Sequence, residues 1–118
     1  MENIVENNKL IAEFMGNQLD TVENIYWIDD NIIGKYGFAP DELVYNTDWN
    51  WLMSVVKKIE TLNYDFKILG GNWVIITDID PDRNEGEEII EIGGKESKLK
   101  AVYTAVIEFI NWYNLKKK

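Results

Sequence analysis

A strand–turn–strand pattern at residues 64–78, YDFKILGGNWVIITD, constrains the fold of this chain more than any other feature. The first run alternates apolar and polar residues, and paired glycines then precede a second, β-branched run, which together predict a β-hairpin with a tight turn. In the second run, Trp73 and Ile75 face one way while Val74 and Ile76 face the other, which is typical of a central strand covered on both sides. Other elements of the chain are therefore expected to cover this hairpin.

Three segments have the periodicity of amphipathic helices. The first spans about residues 3–15, the second begins at Trp49 after an N-cap at Thr47 or Asp48, and the third follows an N-cap at Ser97. The segment EEIIEIGG predicts a further strand after the hairpin. Earlier in the chain, IYWIDDNII predicts a small hairpin with a turn at residues 29–31, and GKYGFAPDEL predicts a loop.

The order helix, hairpin, helix, strands, helix predicts an α+β fold in a single domain over residues 1–118. We expect an antiparallel sheet of about four or five strands with helices packed on it. Because the strand at residues 73–76 looks apolar on both sides, a three-layer α/β/α sandwich is favoured. A two-layer arrangement with a dimer covering the second face is the alternative.

The composition excludes several classes of site. The chain has no cysteine and no histidine, which excludes disulfides, thiolate and imidazole metal sites, cysteine nucleophiles and the serine–histidine triad. A hydrolase is therefore disfavoured, and no cofactor is expected. The net charge of −9 disfavours direct contact with nucleic acid or anionic membranes. No apolar run reaches the roughly 18 residues of a membrane span and the N-terminus lacks a signal core, so a cytoplasmic location is expected.

Two tryptophans, Trp49 and Trp51, lie in the first turn of the second predicted helix. A structural interpretation places Trp49 on the sheet and Trp51, about 200° around the helix, under the loop at residues 34–40 or against another helix. A functional interpretation places Trp51 in an aromatic cleft that stacks a planar ligand or anchors a partner. Both interpretations stay open. The ligand-binding residues that the second one predicts are Tyr45, Trp51, Lys57, Lys58, Trp112 and Tyr113.

The segment at residues 78–91, DIDPDRNEGEEIIE, holds seven acidic residues and one arginine. It is either a solvated hairpin loop or an anionic surface that docks on a basic protein groove. The residues predicted to contact such a partner are Asp78, Asp80, Asp82, Glu85, Glu87 and Glu88.

The same segment partly matches a calcium-binding loop. Counted from Asp80, the residues Asp82, Asn84 and Glu91 fall at the third, fifth and twelfth positions, but Gly86 comes one place too late. We therefore expect no bound metal. If the segment does bind a cation, the predicted ligands are Asp80, Asp82, Asn84 and Glu91.

Two further patterns suggest a candidate anion site and a candidate pair of catalytic carboxylates. Gly93 and Gly94 precede the helix start at Ser97 with Lys95 and Lys98 nearby, an arrangement that can hold an anion. A pair of carboxylates for hydrolysis could be formed by two of four aspartates: Asp29, Asp30, Asp78 and Asp80. Their spacing in the sequence does not favour any one pair.

Three blocks, NNKLIAEFMG, YNTDWNWLMSVVKKIE and SKLKAVYTAVIEFINWYN, resemble a group of small uncharacterised proteins encoded in phages, prophages and mobile elements of Bacteroidota-type bacteria. The blocks cover roughly 44 of the 118 residues, in the same order. The resemblance implies an α/β sandwich and a phage or mobile-element origin. It implies no catalytic residues.

We therefore expect a non-enzymatic binding protein that counters host defence in the cytoplasm of an infected or lysogenic cell. In one mechanism it sequesters a linear or cyclic nucleotide signal. The binding pocket would lie within one chain or at the interface of a homo-oligomer. The alternative is an acidic inhibitor, or nucleic-acid mimic, that uses the acidic segment against a basic host protein. A third function, a metal-dependent hydrolase acting through Asp80 or Asp82, is disfavoured because the chain lacks a catalytic motif.

Overall fold

The computed structural model describes residues 3–30, 34–83 and 85–116. Within these ranges, no helix combines the length and hydropathy needed to cross a bilayer. The elements in chain order are α1 (Ile4–Phe14), β1 (Leu19–Asp20), β2 (Ile25–Asp30), β3 (Gly34–Phe38), a 3₁₀ turn (Pro40–Glu42), α2 (Trp49–Thr61), β4 (Tyr64–Leu69), β5 (Trp73–Asp78), β6 (Glu88–Ile92) and α3 (Lys98–Lys116).

Side-chain caps begin α1, α2 and α3, and the sequence predicts those of α2 and α3. Asn3 accepts a hydrogen bond from the backbone N–H of Glu6 at 3.1 Å, and Ser97 Oγ accepts one from that of Lys100 at 3.1 Å. Gly16 follows α1 with φ +88°, a left-handed conformation that glycine adopts without strain and that commonly ends a helix. Asp48 is the cap of α2. Each cap satisfies backbone donors that have no partner inside the helix.

The strands β4, β5 and β6 form an antiparallel sheet with β5 in the centre, as predicted. Phe66 pairs with Ile76 across β4 and β5, and Ile76 pairs with Ile90 across β5 and β6. These three side chains are buried, because α2 packs on β4 and α3 packs on β5 and β6. The main hydrophobic core therefore lies between this sheet and the two long helices.

The other face of this sheet is open, so the predicted three-layer sandwich is wrong. Leu69 is 41% exposed and Trp73 is 38% exposed on that face, and Ile75 is half-buried. Successive side chains of a strand point to opposite faces, and in β5 only Val74, Ile76 and Asp78 are buried. The prediction failed because an apolar side chain on a sheet does not require a covering layer.

The strands β1, β2 and β3 form a second antiparallel sheet. A hairpin is present in this part of the chain, but the predicted turn is misplaced: Asp29 and Asp30 belong to β2 and pair with Lys35 and Gly34. The second strand, Gly34–Phe38, lies in a segment that we predicted to be a loop, and Ile32 and Ile33 lie outside the described residues. Gly37 is a strand residue because it pairs with Trp27, whose ring occupies the space beside it. The α+β class is confirmed, whereas a single sheet of about four or five strands is wrong: the described residues form two sheets of three strands.

Candidate functional site

A cleft of about 620 Å³ opens beside the first turns of α2, against Trp51 and Tyr45. The two rings meet edge to face with their centroids 5.0 Å apart, and Phe38 contacts Trp51 in the same way at 5.0 Å. Trp51 is half-buried, so part of its ring is available to the cleft. We call this site the tryptophan cleft; its lining residues are Met15, Asn17, Ile28, Tyr45, Asp48, Asn50, Trp51 and Ser54.

The start of α2 sets the position of Trp51. Asp48 Oδ1 accepts hydrogen bonds from the backbone N–H groups of Asn50 at 2.8 Å and Trp51 at 3.3 Å. The hydroxyl of Ser54, one turn later, donates to the carbonyl oxygen of Trp51 at 2.6 Å. Because the cap fixes the first turn, the indole is held against Phe38 of β3 instead of sampling solvent.

The tryptophan cleft is polar without being cationic. Asp48 is the charged residue of its lining, and its carboxylate already caps the helix. Burial raises the pKa of Tyr45 to about 12, against the opposing effect of a side-chain hydrogen bond with Asn17, so this phenol stays neutral at physiological pH. The amides of Asn17 and Asn50 can both donate and accept hydrogen bonds. The cleft therefore suits an uncharged planar ring with polar edges.

A second cleft of about 430 Å³ lies near the C-terminal end of α2 and contains Lys58. The ammonium of Lys58 lies 5.4 Å from the centroid of the Phe14 ring, which meets Tyr113 edge to face at 6.1 Å. Among the described residues, no carboxylate forms an ion pair with Lys58. We call this site the lysine cleft; its lining residues are Leu10, Glu13, Phe14, Lys58, Leu62, Tyr113 and Asn114.

The two clefts share one stripe of α2. Trp51 and Lys58 are seven residues apart, which places them within about 20° of each other around the helix and about 10 Å apart along its axis. Both side chains are half-buried. An aromatic wall and an ammonium group that has no ion-pair partner among the described residues thus follow each other along the same side of α2.

The structure does not bring all six predicted ligand residues together. Tyr45 and Trp51 line the tryptophan cleft, whereas Lys58 and Tyr113 line the lysine cleft. Lys57 is exposed and lines neither cleft.

The sixth residue, Trp112, also lines neither cleft. It packs against Phe109 with the ring centroids 5.8 Å apart, and Lys116 Nζ lies 5.1 Å from the centroid of its ring. Trp49, which the structural interpretation placed on the sheet, is instead 39% exposed.

Within the acidic segment, two of the predicted partner-binding residues serve the fold. Asp78 is fully buried, and its carboxylate accepts hydrogen bonds from Nε and Nη2 of Arg83, each at 3.1 Å. Arg83 also pairs with Asp80 at 3.1 Å and donates to the carbonyl oxygens of Leu62 and Asn63. This network of hydrogen bonds fastens the segment to the end of α2. Asp78 is therefore not available to a partner.

The described members of the calcium-loop set, Asp80, Asp82 and Glu91, are not gathered into a metal site. The described residues contain no group of three or more acidic side chains arranged to hold a metal ion, and Asn84 lies outside the described residues. Asp80 is engaged by Arg83, while Asp82 and Glu91 stay exposed. The remaining predicted partner-binding residues are also exposed: Glu85, Glu87 and Glu88.

The two other candidate sites receive no support from the geometry. Lys98 Nζ donates to the carbonyl oxygen of Leu69 at 3.4 Å, so it points back to β4 instead of to the start of α3. The side chains of Asp29 and Asp30 lie outside the described part of the chain. Asp78 and Asp80 share Arg83, as residues of a structural ion pair do.

Sequence reasoning found Trp51 and Tyr45 but missed most of the residues around them. Met15 and Asn17 come from the end of α1, and Ile28 comes from β2, so the site joins segments that are distant in sequence. Searches for similar proteins add no further assignment: no family model, no curated protein and no solved structure matches the chain.

Proposed function

We propose that this protein is a non-enzymatic binding protein that holds a planar ligand with few negative charges, such as a cyclic mononucleotide. The ring lies in the tryptophan cleft, and the phosphate lies at the lysine cleft. The observation that supports this proposal is the position of Trp51 and Lys58 on one stripe of α2, each half-buried and each lining a cleft.

The ring end of the ligand is recognised by stacking and by amides. A base stacked on an aromatic side chain contributes about 1 to 3 kcal/mol, largely independent of which base it is. Met15 and Ile28 supply the apolar surface of a typical small-molecule site. Asn17 and Asn50 supply hydrogen-bonding groups for the polar edge of a heterocycle.

The phosphate end of the ligand is limited by charge. Lys58 is the cation among the residues that line the lysine cleft, and Glu13 lines the same cleft. The chain as a whole carries a net charge of −9, which repels polyanions at long range. A ligand with one phosphate is therefore favoured over a triphosphate.

The biological context of the proposal comes from the resemblance to phage and prophage proteins. A protein that binds a signalling nucleotide without consuming it lowers the free concentration of that signal. Sequestration of a cyclic nucleotide that activates host defence is the function we propose for this chain.

Calorimetric titration with cyclic adenosine and cyclic guanosine monophosphates tests the proposal. We expect saturable binding of the cyclic nucleotides and weaker binding of adenosine and guanosine triphosphates. Trp51→Ala should lower the affinity roughly 10-fold or more, because stacking is lost. Trp49→Ala is the matched control, since Trp49 lies in the same turn, is 39% exposed and lines neither cleft.

A second pair of variants tests the phosphate end. Lys58→Gln should weaken binding of the cyclic monophosphate by about two- to fivefold, because one partly exposed charge is removed. The affinity for the parent nucleoside, which has no phosphate, should not change. Lys57→Gln, at the adjacent exposed lysine, should change the affinity for neither ligand.

Equal effects of Trp51→Ala and Trp49→Ala, or no binding at millimolar ligand, would contradict the proposed site. Conversion of the ligand during incubation, followed by chromatography, would contradict the non-enzymatic assignment.

A further inference from the structure

The uncovered face of the sheet β4–β5–β6 is a second surface that the clefts do not use. We call it the open sheet face and define it by Leu69, Trp73, Ile75, Ile79, Glu88 and Glu91. Leu69, Trp73 and Ile79 are 41%, 38% and 48% exposed, which is a high exposure for three large apolar side chains on one face. None of the six residues lines the tryptophan cleft or the lysine cleft.

Trp73 is held in a defined position on this face. Its indole Nε1 donates a hydrogen bond to Glu91 Oε2 at 3.1 Å. Its six-membered ring lies directly against Gly93, where an added Cβ would come within 2.1 Å of Trp73 Cζ3. An exposed tryptophan that is already ordered loses little conformational entropy on binding, and tryptophan is enriched among the residues that contribute most to protein interfaces.

Two carboxylates border this apolar centre on β6, whereas Lys98 Nζ lies 3.4 Å from the carbonyl oxygen of Leu69 at the end of β4. Glu88 pairs with Thr77 and Glu91 pairs with Ile75 across β5 and β6, so both carboxylates share the open face. Both are exposed, and neither forms an ion pair within the described part of the chain. The one lysine nearby on β4, Lys67, already pairs with Asp65 at 3.6 Å.

We infer that the open sheet face docks a basic protein segment that places apolar side chains on Trp73 and Ile75 and lysine or arginine beside Glu88 and Glu91. Complementary charge at the rim of an apolar patch increases the association rate and the specificity for such a partner. A second copy of this chain fits less well, because it carries the same net charge of −9 and would bring its own Glu88 and Glu91 to the contact.

A peptide of alternating lysine and valine residues, with a glutamate–valine peptide of the same length as the control probe, tests this surface. We expect the lysine peptide to bind, to shift backbone amide resonances of β4–β6, and to bind more weakly at higher salt. The double variant Glu88→Gln/Glu91→Gln should lose about fivefold in affinity, since two exposed rim charges are removed. Glu108→Gln, which removes an exposed acid from α3, is the matched control and should keep full affinity.

Several outcomes would overturn the inference. They are failure of the lysine peptide to bind at millimolar concentration, equal binding of the glutamate peptide, and equal loss in Glu108→Gln. Amide shifts confined to the two clefts would place the contact elsewhere. A concentration-dependent dimer in sedimentation that buries Trp73 would assign the face to a second copy. Thermal melting verifies that each variant is folded, and Trp51→Ala should bind the peptide normally, which separates this surface from the proposed nucleotide site.

Discussion

Asn8 shows how single residues of this chain satisfy buried polar groups. Its side chain is 2% exposed, and its amide Nδ2 donates to the carbonyl oxygen of Leu43 at 2.9 Å and to Asn46 Oδ1 at 3.0 Å. Its Oδ1 accepts a hydrogen bond from the hydroxyl of Tyr103 at 2.9 Å. The network therefore joins α1, α3 and the segment before α2 through a buried polar residue whose hydrogen-bonding groups are used.

Tyr64 behaves in the opposite way. The side chain is buried, yet its hydroxyl finds no hydrogen-bond partner among the described residues. Its ring carries the stabilising contacts instead: the guanidinium carbon of Arg83 lies 4.5 Å from the ring centroid, and Phe109 packs on it at 4.9 Å. A buried hydroxyl without a partner destabilises a fold by about 1 to 3 kcal/mol.

Substituting each tyrosine by phenylalanine distinguishes these two environments. Tyr64→Phe removes a hydroxyl without a hydrogen bond, so the free energy of unfolding should stay the same or rise by about 1 kcal/mol. Tyr103→Phe leaves Oδ1 of the buried Asn8 without its donor, so the free energy of unfolding should fall by about 1 to 2 kcal/mol. Urea denaturation measures both. An equal loss in the two variants would show that the Tyr64 hydroxyl is hydrogen-bonded.

At the scale of elements, each sheet contains a tryptophan that lies against a glycine in or just after the neighbouring strand. Trp27 on β2 pairs with Gly37 on β3, and an added Cβ at Gly37 would come within 2.7 Å of Ile25 Cγ2 and 3.2 Å of the Trp27 ring. Trp73 on β5 lies against Gly93, just after β6, more tightly still. Glycine normally weakens a strand because it has no side chain to pack, and here the ring covers the backbone that glycine exposes.

Gly93→Ala tests this packing. The new methyl group would displace the Trp73 ring, break its hydrogen bond to Glu91, and lower the free energy of unfolding by about 1 kcal/mol. Gly70→Ala is the control, because a Cβ there meets nothing within 4 Å and the backbone at Gly70 does not require a positive φ. The indole N–H resonance of Trp73 reports the displacement. An unchanged resonance in Gly93→Ala would show that the ring does not rest on the glycine.

The sequence patterns predicted the elements with long, regular periodicity and failed for the others. The three helices and β4–β6 were found because their apolar spacing and caps agree over many residues. Gly34–Phe38 was predicted to be a loop, because the role of Gly37 depends on a tryptophan in another strand. The exposure of Trp73 and Ile75 could not be predicted either, because alternation assigns a side chain to a face without showing what covers that face.

The candidate site was predictable to the same limited extent. The crowding of tryptophans in one helical turn indicated Trp51, and the cap at Asp48 fixed the turn in which it lies. The division of the predicted ligand residues between two clefts depends on where the ends of α1 and α3 lie in space relative to α2, which no local pattern records. Asn17 had one local signal, its place directly after the helix-ending Gly16.

For the whole molecule, the aromatic residues divide by type. Each of the five tryptophans retains exposed or partly exposed surface, whereas four of the six tyrosines, Tyr26, Tyr45, Tyr64 and Tyr103, are buried. The fold thus buries most of its phenols and leaves its indoles at least partly exposed: Trp51 at a cleft, Trp27 and Trp73 on the sheets, and Trp49 and Trp112 on helices. Because tryptophan is enriched among the residues that contribute most binding energy at interfaces, this division is consistent with the binding function that we propose.

The buried phenols make the stability of the whole molecule sensitive to alkaline pH. Burial, together with a hydrogen bond to Glu13, raises the pKa of Tyr26 to about 12, and burial raises that of Tyr45 to about 12. In the unfolded chain a tyrosine ionises near pH 10. The stabilisation from these neutral phenols is therefore complete below pH 10 and is lost as the pH rises from about 10 to 12, because the unfolded state releases its protons first.

Thermal melting from pH 8 to pH 12 measures this loss. Each raised pKa is expected to remove up to about 1.4 kcal/mol of stability per pH unit within the window, so the melting temperature should fall steeply above pH 10. Tyr45→Phe should reduce the steepness, whereas Tyr36→Phe, at a residue that is 43% exposed, should leave the profile unchanged. Lysines also lose their charge between about pH 10 and pH 12. Because both variants keep every lysine, the difference between their melting profiles reports the buried Tyr45 hydroxyl alone. Parallel profiles for the two variants would show that the Tyr45 hydroxyl ionises as readily in the folded protein as in the unfolded chain, and the aromatic floor of the tryptophan cleft would then be open to water.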